Sequence, residues 1–318
     1  MLNLHKNIIT LSVFAAASIS TANAADIVPV SFESHGQQIK GNLYLPDDYD
    51  AGQKLPTIIV SGAWTSVKEQ MAGGYAEKIA DQGYAALAFD FRGWGESNIN
   101  TPVELQFAEN PIAKTEDILA AVEFLLAREE VDSSKIATLG ICASAGYAID
   151  AAYQSENIAT VMTVAPWLQD DAIVTQVYGD SKPTLLNLYE QAELTGIPVI
   201  IEAASDTNEQ SLMYQASYYT DPNRGAIESY DNKFSTFSWG PWLNYDAIQT
   251  AERIEKPVLL VHSEAAAIPQ GAKKFTELAG ENAKLVMLDD VTQFDFYDNS
   301  DAMNASIEQI KLHIERVF

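Results

Sequence analysis

One cysteine stands in the whole chain, Cys142, and it lies in Gly140-Ile141-Cys142-Ala143-Ser144. A side chain that attacks a carbonyl must be held out of the backbone at a tight turn between a strand and a helix. Small residues two before and two after it keep that turn free of clashes. Gly140 and Ser144 are small, Ile136 to Leu139 is an apolar strand-like run ahead of them, and helical sequence begins near Ala143. Cys142 is therefore the expected nucleophile, with its thiolate favoured by the N-terminus of the following helix. A second register, Cys142-Ala143-Ser144-Ala145-Gly146, offers Ser144 instead. Gly140 tolerates the turn better than a cysteine in its place, so Cys142 is preferred. The plain alternative is a buried, inert thiol at a strand end, because cysteine is among the most buried residue types.

Such a nucleophile normally needs a base. Beyond the first 24 residues the histidines are His35, His262 and His313. His35 falls in a hairpin turn and His313 in the terminal helix, while His262 ends a strand near the catalytic edge. Glu69, Glu264 and Asp295 read as surface or loop-fixing carboxylates, and Asp90 and Arg92 as braces of their own loop. There is no cluster of ligating residues at metal spacing, and Gly93-Trp94-Gly95 is a turn without the rest of a nucleotide fingerprint. No metal, nucleotide or flavin cofactor is expected.

The elements that must position these residues alternate along the chain. Ile27 to Ser34 and Gln38 to Leu45 read as paired strands joined at His35-Gly36. Short apolar runs follow at Thr57 to Val60, Ala85 to Phe89, Ile136 to Leu139, Ile158 to Val164, Val258 to Val261 and Leu285 to Leu288. Helical spacing intervenes across Tyr75 to Ile79. A second helix, with Thr115 as a candidate cap, carries the stripe Ile118, Ala121, Val122, Leu125 and Leu126. Strands alternating with helices imply an α/β class, with a mostly parallel sheet covered on both faces. The rhythm lapses in residues 171–250, which are rich in aromatic residues such as Tyr178, Tyr189, Trp239 and Trp242. That stretch reads as a cap inserted into a core of residues 25–170 and 251–318, closing over the sheet end where ligands bind.

Forty-four acidic against 19 basic residues give a net charge of −25. The balance excludes a basic nucleic-acid footprint and disfavours anionic membranes. Residues 1–24 resemble a secretory signal: Lys6 precedes a short apolar stretch from Ile8 to Ile19, and Ala22-Asn23-Ala24 forms a small-x-small cleavage site. A periplasmic or secreted protein is expected, with no membrane insertion. The composition leaves its oligomeric state open.

The elbow around Cys142 resembles that of the α/β-hydrolase superfamily, in the dienelactone-hydrolase-like branch with a cysteine nucleophile. It is similar to the group related to fungal polyketide acyltransferases. The resemblance extends to Trp64-Thr65-Ser66-Val67-Lys68-Glu69-Gln70, Phe89-Asp90-Phe91-Arg92-Gly93-Trp94-Gly95-Glu96-Ser97, Leu139 to Tyr147, Arg224-Gly225-Ala226-Ile227, Ser238-Trp239-Gly240-Pro241-Trp242-Leu243 and Gln293-Phe294-Asp295-Phe296-Tyr297-Asp298. It implies an α/β-hydrolase fold with an oxyanion hole made by the backbone N–H of Ala143 and of Ala63, with Trp64 as the alternative to Ala63. It implies a pocket near Trp64, Ser144, Trp167, Trp239 and His262. Two departures stand out. Ala266 occupies the place of the acid in His262-Ser263-Glu264-Ala265-Ala266, and Gln293 occupies the place of the catalytic histidine. An amide has no useful basicity.

Three functions fit. One is an acyl-transfer enzyme of esterase, thioesterase or lactonase type, acting on a small acyl or ester molecule through Cys142, with Gln293 in the histidine's place. The second is a binder of a small acyl or aromatic ligand. The third is a redox-responsive or capturing thiol.

Overall fold

The computed structural model describes residues 25–318. The expected signal segment, residues 1–24, lies outside the described residues. Two antiparallel strands, β1 (Asp26–Ser34) and β2 (Gln37–Leu45), open the fold around a turn at His35 and Gly36, both at positive φ. Their alternation leaves one face exposed, as a half-buried edge requires.

The chain then winds through β3 (Leu55–Ser61), α1 (Met71–Ala80), β4 (Ala85–Phe89), α2 (Pro111–Leu126), β5 (Val131–Ile141), α3 (Ser144–Gln154) and β6 (Ile158–Val164). Next come α4 (Asp171–Tyr178), α5 (Lys182–Thr195), β7 (Ile200–Glu202), β8 (Ala204–Ser205), β9 (Met213–Tyr214), α6 (Ser217–Thr220), β10 (Lys233–Ser235) and α7 (Trp239–Leu243). Finally β11 (Val258–Ser263), α8 (Pro269–Ala279), β12 (Ala283–Leu288), α9 (Asp295–Asp298) and α10 (Ser300–Val317) complete it.

Eight strands form one sheet in the order β1-β2-β4-β3-β5-β6-β11-β12, parallel from β4 to β12. The continuous apolar runs of β3, β4 and β6 are buried, as strands covered on both faces must be. Strand β5 extends upstream of Ile136 through Asp132-Ser133-Ser134, and its register against β6 shifts between Ile136 and Ala137. Polar residues at that irregular start hid it from a reading of apolar runs.

Helix α2 begins earlier than its stripe suggests. Its cap is Asn110, whose side chain accepts from the Ala113 N–H at 3.1 Å, with Pro111 in the first turn. Thr115 is not the cap: its hydroxyl donates to the Pro111 carbonyl from inside the helix.

The elements from α4 to α7 stand over the C-terminal edge of the sheet, where β7 pairs with β10 and β8 with β9. Their inward side chains close a cavity above the ends of β3, β5 and β6.

Candidate active site

The turns that leave the parallel strands share a backbone signature. Thr65 after β3, Cys142 after β5, Ala165 after β6 and Ile268 after β11 all adopt positive φ, at 61°, 58°, 45° and 44°. Residues with a Cβ rarely sit in this region unless the surroundings hold them there, and such positions concentrate at functional sites. At Cys142 the holding contacts are explicit. Its N–H donates to the Val164 carbonyl at 3.1 Å, and its carbonyl accepts from Ala145 N–H at 3.1 Å and Trp167 N–H at 2.9 Å. A Cβ on Gly140 would stand 2.5 Å from the Ser144 carbonyl oxygen and 2.6 Å from the Ala145 Cα. Only glycine permits the helix to start so close to the strand it leaves.

The thiol is buried at the floor of a cavity of about 330 Å³. Trp64, Trp167, Tyr178, Tyr219, Trp239 and Trp242 supply most of its wall, and Gln293 and Tyr297 close it beside the sulfur. Near the sulfur are two backbone N–H groups, those of Ala143 and Trp64, and the Tyr297 hydroxyl. On the β3 side the nearby N–H is Trp64's. Ala63 is buried, and its carbonyl takes the Ser66 N–H and hydroxyl.

The thiol is not the ready thiolate that its place before a helix suggests. Burial pushes its pKa up from the ordinary value, and Glu109 adds to the rise. The nearby O–H and N–H dipoles of Tyr297, Ala143 and Trp64 act in the opposite direction and are outweighed. Desolvation penalises the charged form more than these dipoles favour it.

Ser144 does not line the cavity. Its hydroxyl donates toward the Ser61 carbonyl at 2.7 Å and the Ile141 carbonyl at 3.0 Å, and accepts from the Ile141 N–H at 3.0 Å. It fastens the elbow from below and leaves no second nucleophile. His262 is also outside the cavity. It is fully buried beneath the floor, its ring beside the backbone of Pro166 and Ala267. Burial lowers its pKa to about 4, so it is neutral. Trp64, Trp167 and Trp239 do line the cavity.

Gln293 is near the sulfur, yet its amide is spoken for. Oε1 accepts from the Ala267 N–H at 3.0 Å, while Nε2 donates to the Ala165 carbonyl and to the Tyr297 hydroxyl, each at 3.0 Å. Tyr297, one turn further along, is the group that meets Cys142. Nothing in its residue type marked it, and only its place in the Gln293 to Asp298 run hinted at the site. Tyr297 and its partner thiol are both buried, and burial lifts the phenol well above its usual range.

A buried ion pair supports the other side. Glu109 and Lys114 meet at 2.8 Å, and Glu109 also accepts from the Tyr147 hydroxyl at 2.8 Å and from the Thr65 N–H at 3.5 Å. The ammonium lies over the rings of Phe91, Trp94 and Tyr147. The pair thereby ties the turn containing Trp64 to α2 and α3. A lysine four residues before Ile118 in an apolar stripe was the signal available for it.

The loops beyond are braced as their sequence suggests. Lys68 pairs with Asp90 at 3.0 Å, Arg92 with Asp117 at 2.7 Å, Glu264 with Lys273 at 2.5 Å, and Asp295 caps Thr292. Among the described residues, no group of three or more His, Cys, Asp or Glu side chains could hold a metal ion, and no helix is long and apolar enough to cross a membrane.

A model of the dienelactone hydrolase family matches residues 39–186. The uncharacterized protein YcjY of Escherichia coli is 39% identical over 123 residues, which span 39% of this chain and 39% of that protein. The uncharacterized protein PA2218 of Pseudomonas aeruginosa is 29% identical over 285 residues, 84% of this chain and 74% of that one. The crystal structure of PA2218 matches with a TM-score of 0.81 at 22% identity, covering 98% of this chain and all of the other. The thiohydrolase aneE of Aspergillus aculeatus is 28% identical over 134 residues, 42% of this chain and 39% of that one. The α/β hydrolase GrgF from a Penicillium species matches with a TM-score of 0.75 at 18% identity, over 92% of this chain and 99% of that structure.

Proposed function

We propose that this chain, which has the α/β-hydrolase fold and is similar to the dienelactone hydrolase family over residues 39–186, has an acyl-transfer function in which Cys142 is the nucleophile. The observation that carries this reading is the buried thiol lining an aromatic cavity, with the N–H groups of Trp64 and Ala143 nearby. Two backbone donors converging on one point stabilise the charge that develops on a carbonyl oxygen, each by about 3 kcal/mol in well-studied cases. A substrate carbonyl replaces the sulfur at these donors, and the sulfur attacks the carbonyl carbon. The cavity favours a flat or apolar acyl group of modest size. Water is a poor second acceptor here, because among the described residues no imidazole lines the cavity to activate it. Thioesters, aryl esters and strained lactones, with reactive carbonyls, fit that limitation, and the similarity to a protein named a thiohydrolase supports it.

The test is intact-protein mass spectrometry after exposure to a panel of thioesters and aryl esters, with peptide mapping of any adduct. An acyl group on Cys142, absent in Cys142→Ala, is the expected result. A neutral thiol and an immobilised Gln293 favour a second reading, a ligand binder without covalent chemistry. Ligand binding unchanged in Cys142→Ala, with no adduct on the wild-type protein, establishes that reading and overturns the first.

The same proposal includes export. Lys6, the following apolar stretch and Ala22-Asn23-Ala24 support cleavage before Ala25. N-terminal sequencing of the protein from a periplasmic or medium fraction checks it, and an intact residue 1 sinks it.

A further inference from the structure

We infer that Tyr297 is the proton-transferring residue of this site, and that Gln293 is the residue that positions it. The inference rests on the acyl-transfer reading above. Tyr297 and Cys142 line the same cavity and are both buried, the Tyr297 hydroxyl is near the sulfur, and it accepts from Gln293 Nε2 at 3.0 Å.

The hydrogen-bond inventory shows why Gln293 matters. Its Oε1 is filled by the Ala267 N–H, so the Nε2 group is the one that faces Ala165 and Tyr297. Both Nε2 protons then have acceptors, and the amide orientation follows from the network. The tyrosine oxygen therefore receives a hydrogen bond from Gln293 and does not donate one back. One lone pair and the phenolic proton are left for the sulfur and for whatever occupies the cavity.

Those two vacancies allow a balanced step. The Cys142 sulfur forms a bond to the acyl carbon, and the bond from that carbon to the leaving oxygen or sulfur breaks. The thiol proton passes to the Tyr297 oxygen while the phenolic proton passes to the leaving group. The products are a thioester at Cys142, a neutral alcohol or thiol, and a tyrosine in its starting state. Neither a free thiolate nor a free tyrosinate is formed. A buried, apolar site disfavours both anions, so an exchange of protons suits it better than a base that holds a charge. The arrangement explains how a site with Gln293 where a histidine is usual can still move a proton.

The test compares leaving groups. Wild-type protein and Tyr297→Phe are each exposed to two thioesters or esters of one acyl group, one with an aryl leaving group that departs without a proton and one with an alkyl leaving group that needs one. Acylation of Cys142 is followed by mass. The expected result is a loss of about 100-fold or more for the alkyl substrate in Tyr297→Phe, and a much smaller loss for the aryl substrate. Gln293→Leu should reproduce the same inequality in weaker form, whereas a purely structural role slows both substrates equally. Equal losses, or wild-type rates in Tyr297→Phe, overturn the inference and leave the acyl-transfer reading standing. Absence of any wild-type adduct removes that reading itself. Should Tyr297→Phe fail to fold, the wild-type protein alone decides. A shallow dependence of its rate on leaving-group basicity is expected, and a dependence as steep as that of a free thiol in solution overturns the proposal.

Discussion

The two sides of the cavity are built in different ways. On the β3 and β5 side, nearly every requirement is met by backbone: the positive φ of Cys142 and Thr65, the close approach that only Gly140 permits, and the N–H groups of Trp64 and Ala143. On the β11 and β12 side the resemblance to dienelactone hydrolases implies two particular side chains, an acid and a histidine, where this chain has Ala266 and Gln293. On the proposed mechanism the Cys142 side tolerates a wide choice of side chains, whereas the proton-handling side depends wholly on residue identity. There Tyr297, on α9 one turn beyond Gln293, supplies the proton-carrying group.

That contrast can be broken first at the turn. Gly140→Val drives a side chain into the Ser144 and Ala145 backbone, which cannot move without displacing α3. A loss of more than about 3 kcal/mol in stability is expected by chemical denaturation. A near-neutral result would mean the nucleophile side is not dictated by backbone packing. The converse experiment sharpens the other side. If only side chains are missing there, Ala266→Asp combined with Gln293→His should speed release of the acyl group from Cys142 by about 100-fold, the scale of general acid–base catalysis. Single-turnover hydrolysis of the adduct reads this directly, and unchanged release would show that the backbone there is also unsuited.

His262 tests the region beneath both sides. Its folded pKa of about 4 lies below the unfolded value of 6.5. The folded state therefore takes up its proton later, and stability is lost as pH falls from 6.5 toward 4, by at most about 3 kcal/mol for this group. Asp90 and Asp150, raised to about 6 by burial, act in the opposite direction over an overlapping window. The difference between wild type and His262→Leu in acid titration of stability isolates the histidine. His262→Leu should lose less than the wild type over that range, and parallel curves would refute a buried neutral imidazole.

The smallest effect belongs to Ser144. Ser144→Ala removes its bonds to Ser61 and Ile141 and should cost about 1–2 kcal/mol in thermal unfolding. Acylation should still map to Cys142. Disappearance of the adduct would return Ser144 to consideration as the nucleophile.

The parallel core was legible because its signal is local. Runs such as Ala85 to Phe89 and Ile158 to Val164 are buried on both faces and bounded by turns, and both strands are found with those limits. The elbow was legible for the same reason, since its steric demand falls on residues within two positions of Cys142. The cap's aromatic residues announced a pocket without revealing which rings would line it. The rise in the thiol's pKa is not legible in the sequence, because a helix N-terminus is visible there while the desolvation that outweighs it depends on every residue packed above.

Sequence alone, then, determined the strand and helix alternation and the sharp turn at Cys142. Those properties follow from residue type and spacing over short stretches. Only the tertiary structure brought Trp64, Gln293 and Tyr297 to the cavity of Cys142, left Ser144 and His262 outside it, and put the Tyr297 hydroxyl under the hold of Gln293. Each of these depends on where loops from distant parts of the chain come to rest, and hydrogen bonds and desolvation act over ångströms in space rather than positions in sequence.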